Sequence, residues 1–294
     1  MRITIDAAGS DAAPWVAALR TQAHGEEIQV FESGKLAAVL GAQWLDFKLR
    51  GTDVFHASAV TPVAPLKVKL TATIENLSGW LMPGKHTKAA QYFAERILER
   101  AHGLIAVSES VRQDAIRLLG IDAGKITTIY PGVAGEYFDA KPTPRDRPYV
   151  LHAGFGGTSD TLLAAWRELK PELQREYDLL STSDAPGAGP MAAAALFVYP
   201  SLYDGFALPI AQAMAAHVAV VASDVSSMPE VGRDAAVLVD PHDPAEIAAG
   251  ITRLLESESE RAKLARYGRA RAEKYRWEKC AEDSLAFFRR VAGG

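Results

Sequence analysis

The chain has 294 residues, 48% hydrophobic and 23% charged, with a formal net charge of -4 and a single cysteine, Cys280. That length suits two compact domains, each able to bury its own core, and the acidic balance supplies no basic field for nucleic acid. One thiol excludes an intramolecular disulfide, and no stretch approaches the roughly 18 uninterrupted apolar residues of a membrane span.

The start, Met1-Arg-Ile-Thr-Ile-Asp6, runs straight into a strand pattern without the long apolar segment of a signal peptide, so the expected location is cytoplasmic. Further strands are predicted near Ile28 to Phe31, Val54 to His56, Val68 to Ile74, Leu104 to Val107 and Ile126 to Ile129, with helices between them. Ser108 caps a predicted helix over Val111 to Leu119, and Gly120 stops it. Asp139 to Pro148 is polar and proline-dense, as expected of an exposed linker, and a domain boundary is placed there. Strands near Tyr149 to Ala153, Asp178 to Ser181, Leu196 to Tyr199, Ala219 to Ala222 and Val237 to Val239 follow. Pro244 to Leu255, opened by Asp243, then Glu258 to Lys274 and Trp277 to Val291 read as helices. Alternating strands and helices argue for parallel sheets covered on both faces.

The densest pattern is Leu196 to Ala216. A short apolar run bounded by Pro200 reads as a buried strand, polar groups gather beyond its carboxyl end, Gly205 permits a close approach, and Pro209 opens a helix. Ile210, Met214 and Val218 recur at helical spacing, which puts Gln212 on another face. Ligands of open α/β sheets bind beyond the strand ends. With Val218 to Val225 and Met228-Pro-Glu-Val231, this stretch resembles the donor-site signature of the retaining family-four, or group 1, glycosyltransferases.

The resemblance implies a GT-B architecture: two doubly wound parallel-sheet α/β domains facing a cleft. The domains would be 1–140 on the acceptor side and 149–275 on the nucleotide-sugar side, with 276–294 crossing back to the first. It implies transfer of a sugar, with retention, from a nucleotide diphosphate sugar to a glycan, lipid-linked or small-molecule acceptor, and no required cofactor or metal. Where the family has two glutamates with seven residues between them, the chain holds Asp204, beside the sugar, and Gln212, on the ribose. Gly205, Phe206, Ala207 and Leu208 would line the donor. So would Gly154, Gly156 and Gly157, whose loop lacks the family's arginine and lysine but offers backbone N–H groups ahead of a helix, with a plain tight turn as the equal alternative. Arg167, Lys170 and Arg175 are expected to face solvent. The donor half reads as trimmed, with roughly one strand-helix unit fewer than relatives have before Leu196.

On the acceptor side the family's His-Asp pair falls on Glu75 and Asn76, and its glycine-rich loop is represented by Gly9 and Ser10. Glu75 could serve as a base or hydrogen-bond an acceptor hydroxyl, and a solvated strand-end pair is the alternative. His56, His152 and His217 are expected as satisfied core histidines, and no histidine spacing suggests a metal site. Lys67, Lys69, Lys85 and Lys88 leave peripheral membrane contact open. A catalytically weak or inactive glycosyltransferase-like scaffold that binds a nucleotide sugar, glycan or protein partner stays beside the enzyme reading.

Overall fold

A computed structural model describes residues 1–7, 12–32, 34–57, 64–81, 88–154, 159–183 and 186–293. The chain forms two compact units: Met1–Gly132 with Trp277–Gly294, and Val133–Arg276.

The first unit carries β1 (Arg2–Asp6), β2 (Glu27–Phe31), β3 (Val54–Ala57), β4 (Lys69–Ile74), β5 (Gly103–Ala106) and β6 (Ile126–Thr128) in the order β2-β1-β3-β4-β5-β6. All five pairings are parallel. In β3 and β5 every residue is buried, as required of strands covered on both faces, whereas the edge strand β2 is largely exposed. Glu109–Leu119 is a helix whose N-cap Ser108 hydroxyl accepts the Val111 N–H at 3.0 Å, and Gly120 closes it in the left-handed region at φ 64°.

The second unit carries β7 (Tyr149–Ala153), β8 (Asp178–Thr182), β9 (Leu196–Tyr199), β10 (Val220–Ser223) and β11 (Ala236–Val239) in the order β11-β10-β9-β7-β8, again parallel throughout. Both sheets therefore wind outward in both directions from their first strand. The direction reverses between β1 and β3 in one and between β7 and β9 in the other, and the crevice beyond such a reversal is where ligands of this class of sheet sit. Between β7 and β9 the chain places helices Ser159–Glu168 and Pro171–Glu176, then β8, then the short helix Ala188–Ala193.

The helix Trp277–Gly293 belongs to the first unit. Its Ala281, Leu285, Phe287 and Phe288 join Ile3, Ile5, Val16 and Leu19 in one core. Gly132 allows this, because a Cβ there would lie 2.2 Å from the Trp277 ring. Cys280 is buried in the same helix, and burial pushes its thiol pKa up to about 12, so it is an inert part of the packing.

The change of unit falls at Val133 and not in the proline-dense stretch 139–148. Tyr137 and Phe138, in the short helix Gly135–Phe138, account for this. Both are buried, the Tyr137 hydroxyl donates to the Pro186 carbonyl at 2.7 Å, and the Arg276 and Arg269 guanidiniums lie over the Phe138 ring at 3.8 and 4.8 Å. The polar stretch follows an anchor already fixed to the second unit.

Candidate functional site

The region beyond β7 and β9 is built around Asp204. From the end of β9 the chain turns through Pro200 and Ser201, and serines reaching in from the β10 side fix the turn. The Ser223 hydroxyl donates to the Ser201 carbonyl, while the Ser226 and Ser227 hydroxyls donate to the Asp204 carbonyl at 2.8 and 2.9 Å. The Asp204 N–H in turn lies 3.3 Å from the Ser226 hydroxyl oxygen.

The Asp204 carboxylate is held by two donors, the Tyr199 phenol at 2.7 Å and the Phe206 N–H at 3.1 Å. Burial and the neighbouring negative charge raise the Tyr199 pKa, so the phenol stays protonated and keeps donating. A carboxylate has about four acceptor positions, and two are occupied here, which leaves the half-buried group oriented and still able to accept.

Gly205 and Phe206 are buried, and the Phe206 ring meets Tyr275 edge-on at 5.2 Å. Ala207 follows at φ 60° and ψ 49°, a left-handed conformation that costs a non-glycine residue of order 1–3 kcal/mol and marks a turn held by its surroundings. The helix Leu208–Ala215 begins there with Pro209 in its first turn, as the sequence suggests. Its residues from Pro209 to Ala215 are all buried, so Gln212 lies inside with the rest instead of on an open face. The Gln212 Oε1 is buried and has no hydrogen-bond partner among the described residues. Such an atom costs about 1–3 kcal/mol unless something else completes it.

A second incomplete atom lies on β7. His152 is fully buried, its Nδ1 is 2.7 Å from the Ser181 hydroxyl, and its Nε2 has no partner among the described residues. Burial lowers its pKa to about 4, which keeps the ring neutral at pH 7. Gly154 follows it closely: a Cβ there would stand 3.4 Å from His152 Cε1 and 3.3 Å from the Ser159 hydroxyl. The Gly154 N–H donates to the Thr182 carbonyl at 2.7 Å, so that amide serves the sheet, and Gly156 and Gly157 lie outside the described residues. Arg167, Lys170 and Arg175 are exposed as expected, with Lys170 paired to Glu256 and Arg175 to Glu172.

In the first unit, Glu75 and Asn76 follow the carboxyl end of β4 and are exposed. Asn76 Oδ1 accepts from the Ser78 N–H at 3.2 Å and the Ser78 hydroxyl at 2.7 Å, a local turn that leaves its amide NH2 available. Gly9 and Ser10 lie outside the described residues, as do Lys85 and the Lys88 side chain. His56 is a core histidine satisfied by hydroxyls instead of backbone: its ring nitrogens lie 3.0 and 3.1 Å from Thr71 and Thr73, and burial lowers its pKa to about 3. His217 departs from expectation. It is exposed, at φ 64° in the turn that follows the helix Leu208–Ala215.

Tyr199, Ser226 and Ser227 were not singled out from the sequence. The signals were an aromatic as the last residue of a strand five positions before the carboxylate, and paired serines just past the next strand. Among the described residues no cluster of His, Cys, Asp or Glu could hold a metal ion, and no helix is long and apolar enough to cross a membrane.

The signature of Glycosyltransferase Family 4 matches residues 31–137, and that of Glycosyl transferases group 1 matches residues 190–271. The O-antigen chain mannosyltransferase B of Escherichia coli is 29% identical over 265 residues, covering 74% of this chain and 69% of that protein. Two further curated relatives are spanned over 28% and 55% of their own lengths. Among solved structures, sucrose-phosphate synthase from Thermosynechococcus elongatus superposes with a TM-score of 0.76 at 16% identity, covering 99% of each chain. Anabaena HepE in complex with UDP gives 0.72 at 15%, covering 98% of this chain and 99% of that one. At those identities the likeness establishes the fold. The two signatures fall one on each sheet region, the fold is the GT-B fold of two parallel-sheet α/β domains, and the chain carries a Glycosyltransferase Family 4 domain and a Glycosyl transferases group 1 domain.

Proposed function

We propose that the protein is a retaining hexosyltransferase that moves a sugar from a nucleotide diphosphate sugar to a hydroxyl acceptor. The observation that carries this reading is the buried, unpartnered Gln212 Oε1 in the first turns of the helix after Asp204. It is an acceptor awaiting a hydroxyl in the position the family gives to ribose recognition. Anabaena HepE, of the same fold, is described with UDP and with UDP-glucose, which supports a uridine or related nucleotide as leaving group. A mannosyl donor is favoured among the sugars by the E. coli relative.

In this reading Asp204 accepts hydrogen bonds from the sugar, while Gly205 to Leu208 line its pocket. The bond from the anomeric carbon to the diphosphate oxygen breaks with its electron pair on the phosphate. The acceptor oxygen bonds to the same face of the sugar, and its proton passes to the departing phosphate. Glu75 and Asn76 bind the acceptor. Glu75 is exposed, so a partner that it orients arrives with the acceptor. In this reading the donor unit is a trimmed form of the family's; the described part of its sheet has five strands.

One observation favours a scaffold that binds without transferring. Lys170 and Arg175 are tied to carboxylates, and Asp204 already accepts from two protein donors. Titrating the protein with UDP, GDP and their mannosyl, glucosyl and N-acetylhexosaminyl sugars, while following the anomeric proton of any product, decides between them. Binding with transfer and retained configuration supports the enzyme, and binding without transfer supports the scaffold. Absence of binding across the panel defeats the enzyme and the nucleotide-sugar scaffold alike.

A further inference from the structure

A cavity unrelated to the sugar-transfer reading opens within the first unit. Its volume is about 570 Å³, in the range of small-molecule sites, and it is lined by Lys69, Arg100, His102, Lys125, Thr127 and Arg290 among others, with no carboxylate side chain in the lining among the described residues. The chain as a whole carries a net charge of -4, so this is a local inversion of sign.

Arg2, Arg112, Arg117 and Arg289 of the same unit each pair with a carboxylate, at Glu27, Glu109, Asp114 and Glu26. The cavity cations are held differently. Arg100 donates to the Pro65 carbonyl at 2.8 Å, Lys125 to the Glu99 carbonyl at 3.2 Å and Arg290 to the Thr127 hydroxyl at 3.1 Å. These are neutral acceptors that position each side chain and leave its charge uncompensated, and none of the three is in an ion pair among the described residues. Lys69 answers the carbonyls of Val291 and Ala292 at the end of the terminal helix. His102 Nδ1 accepts the Leu70 N–H at 3.1 Å, which places the ring's own hydrogen on Nε2 as a further donor. Asp122, the acid near Gly124, receives the Gly124 N–H at 2.9 Å and is not part of the lining.

Three uncompensated cations, an imidazole N–H and a hydroxyl form a donor set without an acceptor charge, and two guanidiniums among them match the oxygens of phosphate. We propose that this cavity is a binding site for a soluble phosphorylated small molecule. Lys69, Gly103 and Ile126 are the first residues of β4, β5 and β6, so the cavity is at the amino ends of these strands. Glu75 and Asn76 lie past the other end of β4, a strand length of about 20 Å away. A phosphate ester bound here does not compete for the acceptor position.

The test follows the imidazole signal of His102 by NMR in the full chain, assigned as the signal lost in His102→Gln, during titration with inorganic pyrophosphate. A saturable shift is expected. It should weaken at least about tenfold in Lys125→Gln and further in the double variant Arg100→Gln with Lys125→Gln, and be unchanged in Gln212→Leu, whose change lies in the donor region. Lys125→Gln is read alone because Arg100 also braces the Pro65 segment. A shift reproduced by sodium chloride at matched ionic strength overturns the proposal, as does one insensitive to both cation variants. Vesicles of phosphatidic acid form a second arm: Lys125-dependent vesicle binding without pyrophosphate binding would mark a lipid headgroup site and also overturn it.

Discussion

His56 in the first unit and His152 in the second stand on parallel strands, both almost without exposure and both with a pKa lowered by burial, to about 3 and about 4. His56 has a hydroxyl on each ring nitrogen and aromatic edges from Trp15 at 5.0 Å and Phe288 at 5.5 Å. His152 has one hydroxyl and one orphan nitrogen. Burial and titration behaviour are nearly the same in the two. What separates a packed core from a region open to a ligand is the completeness of the hydrogen bonding, and the second unprovided atom, Gln212 Oε1, belongs to the same unit as His152.

The strongest way to break this contrast is His56→Ala. It removes a buried ring and leaves Thr71 and Thr73 facing a cavity, so unfolding by denaturant should show a loss of about 3 kcal/mol, with nucleotide affinity of the folded protein unchanged. Weakened nucleotide binding would mean that His56 is not merely core.

Asp204→Asn keeps an acceptor for the Tyr199 phenol while removing the charge. Transfer should fall by about a hundredfold with melting nearly unaltered, and full activity would dismiss Asp204 from the reacting sugar.

The histidines also predict a pH dependence. Their folded-state pKa values lie below the ordinary 6.5, so the unfolded chain binds more protons between there and about 3 to 4. The stability they contribute is complete above about pH 6.5 and is lost as pH falls toward 4, at up to about 1.4 kcal/mol per pH unit for each ring. Denaturant midpoints measured from pH 7 to 4 should fall, and His56→Gln should flatten the slope. An unchanged slope contradicts the His56 assignment.

The smallest effect is expected for Gln212→Leu. Removing an unsatisfied buried acceptor should leave stability equal or raise it by about 1 kcal/mol, while UDP affinity drops about tenfold. A clear loss of stability would show that the amide is satisfied within the protein.

All six strands of the first sheet and all five of the second were legible, each within a residue or two of its observed limits. Strands buried on both faces, such as Leu196–Tyr199, announce themselves as short apolar runs. The cap at Ser108 and the stop at Gly120 were equally local and equally readable. Long-range relations were not. The division at Val133 depends on where Tyr137 and Phe138 bury themselves, and the brace around Asp204 joins Tyr199 to serines more than twenty positions later. His217 misled because its place on the chain, between apolar residues, says nothing about the left-handed turn that turns it outward.

The terminal helix has a consequence for how the protein is made. The second unit, Val133–Arg276, is one uninterrupted length of chain, whereas the first is missing Ala281, Leu285, Phe287 and Phe288 until the helix that follows the second unit has left the ribosome. A nascent chain therefore carries an unfinished amino-terminal sheet, with Ile3, Ile5, Val16 and Leu19 uncovered, throughout the time in which the later half can already close. The sheet that is synthesised first is thus the one whose core is completed last.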